Sequence, residues 1–299
     1  MSDILFFNSA CARHPNASLT YAIGPTSFIT PLHTAGAVVD GVSLATESNL
    51  ATIQALHVAL VRYGALILHR QELTPERQAE ITEQWFGHEL VRQYGKRVTY
   101  LSNTADQGLT KIGDSGFHLD YQWGPRIYHA ILLHALNVSQ GGDTLFVRMD
   151  RLVDALARDH EALLDDLQYM STVKHESHTQ RCVVLANHPE SGRPALIVHL
   201  GTKGGRLVRD RPSPGSKMLT AEEQVRITDT LNAVLYRPDL LMRHQWQVGD
   251  VVWIDNWGVL HKAANETQWP VEVVGLRRMQ RSCTMGLVHQ EEQAIVPTS

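Results

Sequence analysis

Beyond Arg97 the sequence consists mainly of short segments rich in Val, Ile, Thr, Tyr and Trp, separated by Gly, Asp, Asn and Pro. The first group of residues favours β-strands, and the second group favours turns. Helical spacing of apolar residues returns only over residues 150–165 and 220–236. Because many short strands must close on a common core, this pattern predicts an α+β chain with a mainly β core, arranged as a sandwich or jelly roll with flanking helices.

The first hundred residues alternate between strand and helix after an irregular start. Residues 1–35 contain three prolines among several Ser and Thr, which predicts an irregular N-terminal arm. We predict a strand over 36–42, a helix over 47–63, a buried strand over 64–69 and a helix from Pro75 as far as Gly87. No repeat or long linker interrupts the chain, so we predict a single domain over residues 1–299.

Composition excludes several classes of partner. The chain has a net charge of −4 and no basic patch, so nucleic acid is not an expected partner. Cys11, Cys182 and Cys283 lie far apart, which gives neither a disulfide framework nor a zinc ribbon and favours the reducing cytoplasm. No cationic leader and no apolar stretch of spanning length occur, so a signal peptide and a membrane partner are not expected.

A His and an acid lie two residues apart in the stretch Gly116-Phe-His-Leu-Asp-Tyr121. On an extended strand, His118 and Asp120 would point to the same face and could hold a divalent metal, or they could be two polar residues on a solvated face. A third ligand is available at His261, which follows a buried-strand pattern and a turn. Two His and one carboxylate form the facial triad of non-haem Fe(II) oxygenases, which leaves metal positions open for other ligands.

Four sequence pieces carry a resemblance to a known family. In chain order they are His118-x-Asp120, Gly141-Gly-Asp-Thr144, His261 and Arg277-Arg-Met-Gln-Arg281. Together they resemble the taurine dioxygenase and 2,4-dichlorophenoxyacetate dioxygenase family of Fe(II)/2-oxoglutarate-dependent oxygenases. Further pieces that resemble this family lie at residues 64–68, 73–76, 85–87, 188–193 and 246–256. The resemblance extends over residues 36–290.

The resemblance implies a double-stranded β-helix core, which is a cupin-like form of jelly roll, and a set of residue roles. His118, Asp120 and His261 would bind Fe(II), with O₂ and 2-oxoglutarate as co-substrates. Arg277 would pair with the distal carboxylate of 2-oxoglutarate, and Thr144 would add a hydroxyl. The implied reaction couples decarboxylation of 2-oxoglutarate to succinate and CO₂ with hydroxylation or desaturation of a C–H bond. Related halogenases lack the carboxylate, so Asp120 favours these outcomes over halogenation.

The arginine that binds 2-oxoglutarate has two candidates in the sequence. On a strand, Arg277 and Arg281 share a face and Arg278 points away, which favours Arg277 for binding 2-oxoglutarate and Arg281 for a nearby role in the co-substrate site. The spacing from His261 is longer than is usual in the resembling family, as if a loop were inserted around residues 267–270, so Arg278 stays an alternative. Without the family, all three arginines read as a solvated basic face.

Substrate features are fewer. Arg281 matches a position that helps to bind the sulfonate in taurine dioxygenase, which implies an anionic group on a small organic substrate. No His follows residues 86–90 where family members that act on sulfonates carry one, so taurine itself is not expected. Asp114, Tyr121 and Trp123 are predicted to approach the pocket, where Asp114 would face an amine or hydroxyl or else form part of a turn.

Two other functions are compatible with the same residues. The triad could hold zinc or another divalent ion for a hydrolase or lyase, or the chain could be a non-catalytic binding protein of the same fold. Arg277 and Thr144 disfavour the first, because hydrolysis needs no clamp for 2-oxoglutarate, and the intact triad disfavours the second. A homo-oligomer is expected from the resemblance alone.

Overall fold

The computed structural model describes residues 19–85, 89–106, 108, 115–122, 124, 126–160, 162–165, 167–175, 178–201, 205–209 and 219–286. Its strands are β1 Tyr21–Ala22, β2 Phe28–Pro31, β3 Ala37–Asp40, β4 Ala65–Leu68, β5 Thr99–Ser102, β6 Tyr128–Asn137, β7 Thr144–Arg148, β8 Leu167–His175, β9 His178–Val183, β10 Leu185–Asn187, β11 Pro194–Leu196, β12 Gly205–Arg209, β13 Leu241–His244, β14 Val251–Asp255, β15 Val259–Ala263 and β16 Arg278–Met285. Its α-helices are α1 Leu50–Tyr63, α2 Pro75–Gln84, α3 Met149–Asp159, α4 Ala221–Leu235 and α5 Val271–Val274.

Two sheets pack face to face and form the centre of the protein. The larger has eight strands in the order β1-β2-β3-β4-β14-β6-β16-β5, and the smaller has the order β13-β7-β15. Only β3 and β4 pair in parallel within these two sheets. Ile131 and Ile254 of the large sheet share one buried cluster with Phe146 and Val259 of the small sheet. The protein is therefore a mixed α and β fold with large β-sheets, as the strand pattern predicted.

The central strands are covered on both faces, which explains why their apolar runs do not alternate with polar residues. All five residues of β14 are buried. Trp253 and Leu132 pack with Leu56 of α1 and Ile81 of α2 on one face of the large sheet, while the small sheet covers the other face. The site described below lies on that second face, between the two sheets.

Side-chain caps begin the predicted helices. Asn49 accepts hydrogen bonds from the first turn of α1, and Thr74 accepts one from Arg77 N with Pro75 at the first position of α2. Thr220 and Glu223 form a reciprocal capping box at the start of α4. No helix among the described residues is long and apolar enough to cross a membrane.

Three expectations about local structure differ from the structure. Residues 21–31 are not an irregular arm, because β2 pairs antiparallel with β3 and β1 pairs antiparallel with β2, which extends the large sheet; residues 1–18 lie outside the described residues. The helix predicted over 150–165 ends at Asp159, although Leu163 and Leu164 beyond it still pack against the core. The strand predicted around 182–185 is divided between β9 and β10.

Candidate active site

The three predicted metal ligands converge between the two sheets. Asp120 Oδ1 lies 3.4 Å from His118 Nε2 and 3.8 Å from His261 Nε2. One ligand atom from each residue lies within 4.8 Å of the other two. Both imidazoles are buried, and the Asp120 side chain is 13% exposed. Three donor atoms at this spacing can bind one divalent ion on a single face and leave its opposite face open.

His118 and His261 are held together by their backbones. Each backbone N–H donates to the carbonyl of the other residue at 3.1 Å, so the two residues form an isolated antiparallel bridge. The segment turns sharply at Gly116, which has φ +59 and whose Cβ, if present, would lie 2.1 Å from Gly201 N. The expectation that His118 and Asp120 share one strand is wrong, because His118 forms only bridges and Asp120 begins a turn.

The imidazole of His118 has its tautomer fixed. Its Nδ1 lies 2.8 Å from the carbonyl oxygen of Gly116. A carbonyl can only accept, so Nδ1 carries the hydrogen and Nε2 keeps its lone pair. That lone pair faces Asp120 and His261, as a metal ligand should, and the donor set therefore fits a divalent ion.

The side chain of Asn256 makes the hydrogen bonds to the Asp120 backbone that a neighbouring strand would make in a sheet. This fully buried amide accepts a hydrogen bond from Asp120 N and donates to Asp120 O, both at 2.9 Å. Its Nδ2 also donates to Tyr128 O at 2.9 Å. The backbone at Asp120 is thus fixed by the side chain of Asn256, which directly follows β14. Sequence reasoning assigned no role to Asn256; the available signal was a polar residue directly after a fully buried strand.

Arg281 binds the second carboxylate oxygen of Asp120, the candidate metal ligand. Its Nη2 donates to Asp120 Oδ2 at 2.5 Å, and its Nη1 donates to Gln93 Oε1 at 3.0 Å. Burial by itself would lower the pKa of Arg281, but Asp120, Cys283 and Tyr128 raise that pKa above its ordinary value. Arg281 therefore stays cationic and leaves only Oδ1 of Asp120 directed at the imidazoles.

Arg277 is a second buried cation beside the triad. Burial lowers the pKa of its guanidinium to about 10, although Asp143 nearby acts to raise it. Its Nε donates to the carbonyl of Gly142 at 3.0 Å, and its backbone N–H donates to Asn103 Oδ1 at 2.8 Å. A Cβ on Gly142 would lie 2.3 Å from Ser139 Oγ and 3.1 Å from Arg277 Cδ. The glycine therefore provides the space in which the guanidinium lies.

Arg277 and Arg278, the two candidates for binding 2-oxoglutarate, differ in their position relative to the pocket. Arg277 and Arg281 both line the pocket at the triad, whereas Arg278 is half-buried with its guanidinium 4.2 Å from the ring centre of Tyr100. A register shift between Arg278 and Met279 interrupts the strand pairing at this point. These positions favour Arg277 as the cation available to a ligand.

Thr144 begins β7, and its backbone is paired with β13 on one side and β15 on the other. Its hydroxyl oxygen accepts a hydrogen bond from Trp246 Nε1 at 2.9 Å. Both residues are at least nine-tenths buried. Sequence reasoning singled out Thr144 but gave no role to Trp246, which lies 102 residues further along the chain.

One pocket joins the triad to these groups. Its described lining consists of Leu101, Ser102, Asn103, Ser115, His118, Asp120, Ile131, Leu133, Thr144, His261, Ala263, Thr267, Arg277 and Arg281. Segment 267–270, predicted as an inserted loop, overlaps a short 3₁₀ helix at Asn265–Gln268 and ends before α5. The pocket thus combines the candidate metal ligands, the two guanidinium groups of Arg277 and Arg281, and an apolar wall that includes Ile131 and Leu133.

The remaining predicted residues lie elsewhere or outside the described residues. Tyr121 has φ +62, and its ring stacks on Tyr128 with centroids 4.7 Å apart. It is not among the described residues that line the pocket. Asp114 and Trp123 lie outside the described residues. The predicted approach of Asp114, Tyr121 and Trp123 to the substrate stays a prediction.

Similarity to known proteins extends over most of the chain. A family model described as "Taurine catabolism dioxygenase TauD, TfdA family" matches residues 29–283. The chain is 26% identical over 276 residues to a (S)-phenoxypropionate/alpha-ketoglutarate-dioxygenase of Sphingobium herbicidovorans, covering 83% of this chain and 91% of that protein. It is 26% identical over 268 residues to a pentalenolactone F synthase of Streptomyces arenae, covering 78% of this chain and 88% of that protein.

A solved structure has a similar fold. The crystal structure of AAD-2 in complex with Mn(II) and N-oxalylglycine superposes with a TM-score of 0.68 and 21% sequence identity. The superposition covers 88% of this chain and 98% of that chain. At this identity, the likeness concerns the arrangement of sheets and helices.

Proposed function

Because the chain belongs to the TauD/TfdA family of 2-oxoglutarate-dependent dioxygenases, we propose that it hydroxylates, or desaturates, an unactivated C–H bond in a small organic anion. The reaction would couple this oxidation to conversion of 2-oxoglutarate and O₂ into succinate and CO₂. One observation carries the proposal: a single pocket brings the His118, Asp120 and His261 triad together with Arg277 and Thr144.

We assign Fe(II) to the triad. The Nε2 atoms of His118 and His261 and Oδ1 of Asp120 are the donors, and Arg281 occupies the other carboxylate oxygen. When bound, the metal would supply redox chemistry that activates O₂. Mn(II) occurs with N-oxalylglycine in the structure of AAD-2, which supports a divalent metal beside a dicarboxylate in this fold.

We assign the distal carboxylate of 2-oxoglutarate to Arg277 and Thr144. A buried guanidinium can bind a carboxylate through two parallel hydrogen bonds, and a hydroxyl can add a third. Ile131 and Leu133 on the pocket wall suit the methylene groups of the ketoacid and help to exclude water. The residues of the chain therefore bind and orient the co-substrate so that its keto end reaches the metal-binding face.

The charge of the pocket supports an anionic substrate. Two arginines and a divalent metal face one aspartate and a doubly charged co-substrate, which leaves one positive charge uncompensated among the described lining residues. The relative from Sphingobium herbicidovorans is named for phenoxypropionate, an aryloxy carboxylate. We therefore propose a carboxylate-bearing substrate whose apolar part contacts the wall that includes Leu101.

The architecture we propose for this enzyme is a single domain with a jelly-roll core of the double-stranded β-helix type. Support comes from the two facing sheets with largely antiparallel pairing and from the large sheet, which takes strands from residue 21 to residue 285. A homo-oligomer in the cytoplasm stays a prediction from the resemblance and from the cysteine content.

A paired substrate screen tests the proposal. Succinate release is measured with Fe(II), 2-oxoglutarate and a panel of aryloxy and alkyl carboxylates, each compared with its neutral amide. We expect at least one carboxylate to stimulate succinate release while its amide does not, and we expect His118→Ala to abolish the response. Equal stimulation by the amides would contradict the anionic substrate, and unchanged turnover in His118→Ala would contradict the site.

A further inference from the structure

The hydroxyl of Thr144 makes one hydrogen bond, and the partner fixes its direction. The indole N–H of Trp246 can donate but cannot accept, so the 2.9 Å contact must use a lone pair of the Thr144 oxygen. The hydroxyl hydrogen therefore points away from the indole. The hydroxyl donates no hydrogen bond to any described residue, although Thr144 is 3% exposed.

A buried hydroxyl hydrogen without an acceptor is unfavourable, so a ligand or a water must accept it. Thr144 lines the pocket beside Arg277, so a ligand in this pocket can provide that acceptor. The backbone of Thr144 is paired on both sides, opposite His244 of β13 and Ala263 of β15. Rotation of the hydroxyl is thus the main freedom left to this residue, and the indole restricts it.

Trp246 is itself rigidly placed. It is 8% exposed, and its ring meets the ring of His244 edge-on with centroids 4.6 Å apart. Asp250 Oδ2 lies 3.2 Å from His244 Nε2 and accepts a hydrogen bond from Gln247 N at 2.9 Å. His69 Nδ1 lies 2.8 Å from the other oxygen of Asp250. A buried carboxylate therefore fixes both the turn that follows the indole and the ring that packs against it.

We propose that Trp246 is a positioning residue for the co-substrate: its indole N–H occupies one lone pair of the Thr144 hydroxyl and directs the hydroxyl hydrogen to the distal carboxylate of 2-oxoglutarate. The inference rests on the proposed function, because it needs that carboxylate to lie at Thr144 and Arg277. Trp246 does not touch the co-substrate in this account; it acts through Thr144.

The effect of removing the indole N–H can be estimated from rotation. With the indole in place, about two of the three staggered positions are open to the hydroxyl hydrogen, and all three are open without it, so this effect alone lowers affinity about 1.5-fold. Loss of polarisation along the chain of hydrogen bonds weakens the contact further. Removing the hydroxyl of Thr144 removes its hydrogen bond to the charged carboxylate of 2-oxoglutarate, so affinity should fall about tenfold or more.

A double-mutant cycle tests the proposal. The dissociation constant of 2-oxoglutarate is measured by calorimetry in the Mn(II)-loaded protein for Trp246→Phe, Thr144→Val and the double variant. We expect Trp246→Phe to weaken binding about twofold or more, Thr144→Val about tenfold, and the double variant no more than Thr144→Val. In Thr144→Ser, which keeps the hydroxyl, Trp246→Phe should still weaken binding. Mn(II) affinity should be unchanged throughout.

Trp85→Phe is the matched control, because Trp85 is also 8% exposed but packs against Trp253 outside the pocket. It should leave the dissociation constant unchanged. Additive effects of Trp246→Phe and Thr144→Val on the dissociation constant would overturn the inference and indicate a packing role for Trp246. An unchanged dissociation constant in Trp246→Phe would also overturn it. An unchanged constant in Thr144→Val would also remove the proposed 2-oxoglutarate site at Thr144, so the two failures are distinguishable.

Discussion

Replacing Arg277 with Met should stabilise the ligand-free protein and at the same time abolish its stabilisation by 2-oxoglutarate. Burial lowers the pKa of Arg277 from an ordinary value of 12.5 to about 10. Each unit corresponds to about 1.4 kcal/mol, so holding this cation in the empty pocket costs up to about 3 kcal/mol. Met is apolar and of similar length, so the variant avoids this cost, but it leaves the Gly142 carbonyl without the hydrogen bond from Nε, which costs about 1 kcal/mol or more. The free energy of unfolding should therefore rise by up to about 2 kcal/mol.

The same change removes the cation that we assign to the distal carboxylate of 2-oxoglutarate. Truncating one member of such a pair costs about 2–5 kcal/mol, so 2-oxoglutarate binding should weaken by at least about 30-fold. At 100 times the wild-type dissociation constant, the ligand should stabilise the wild type by about 2.7 kcal/mol and the variant by less than about 1 kcal/mol. Urea unfolding of the Mn(II)-loaded protein with and without 2-oxoglutarate measures both effects.

Arg278→Met is the matched control on the neighbouring residue. Arg278 is half-buried and its guanidinium lies over Tyr100 rather than in the pocket, so the ligand-induced stabilisation should be retained. A variant Arg277→Met that is less stable without ligand would refute the desolvation reasoning. Equal stabilisation by 2-oxoglutarate in wild type and Arg277→Met would refute the assigned clamp, and loss in Arg278→Met instead would transfer the role to Arg278.

Three further predictions concern the surroundings of the site. Asn256→Ala leaves Asp120 N, Asp120 O and Tyr128 O without their partner. Mn(II) affinity should therefore fall at least about tenfold and stability by about 2 kcal/mol, as calorimetry and urea unfolding would measure; unchanged metal affinity would contradict the role of Asn256. Gly142→Ala should weaken 2-oxoglutarate binding several-fold and leave Mn(II) binding intact, because the added Cβ crowds Arg277; equal loss of both in calorimetry would point to general disruption. Burial would raise the pKa of Glu190, but His129 and His57 hold it well below its ordinary value of 4.5, so its stabilisation is present above pH 4.5 and is lost as the pH falls below it. Unfolding curves of wild type and Glu190→Gln should therefore differ at pH 7 and converge below pH 4.5, and a difference that is constant with pH would contradict this.

The parts of the site that could be predicted were those whose chemistry is carried by residue type and spacing. His118, Asp120 and His261 form the expected cluster, and Arg277 lines the same pocket. The backbone that presents them was predicted incorrectly, because an isolated bridge and the amide of Asn256 take the place of a strand.

The parts that could not be predicted depend on contacts between distant segments. Asn256 bonds to a residue 136 positions away, and Trp246 bonds to one 102 positions away, so the neighbouring sequence identifies the partner of neither residue. Likewise, β1 and β2 are strands because β3 pairs with β2, and the prolines near them indicated only a break in regular structure. Arg281 was assigned to the substrate by position, whereas its contact with Asp120 depends on the folded geometry.

An anaerobic titration tests the central claim most directly. Fe(II) and 2-oxoglutarate are added to the metal-free protein, and the visible spectrum is monitored for the weak charge-transfer band of a metal-chelated ketoacid. The band should appear in the wild type and in Arg278→Met, and it should be absent at the same concentrations in Asp120→Ala and Arg277→Met. Metal binding without a band in the wild type would contradict 2-oxoglutarate as the co-substrate of this site.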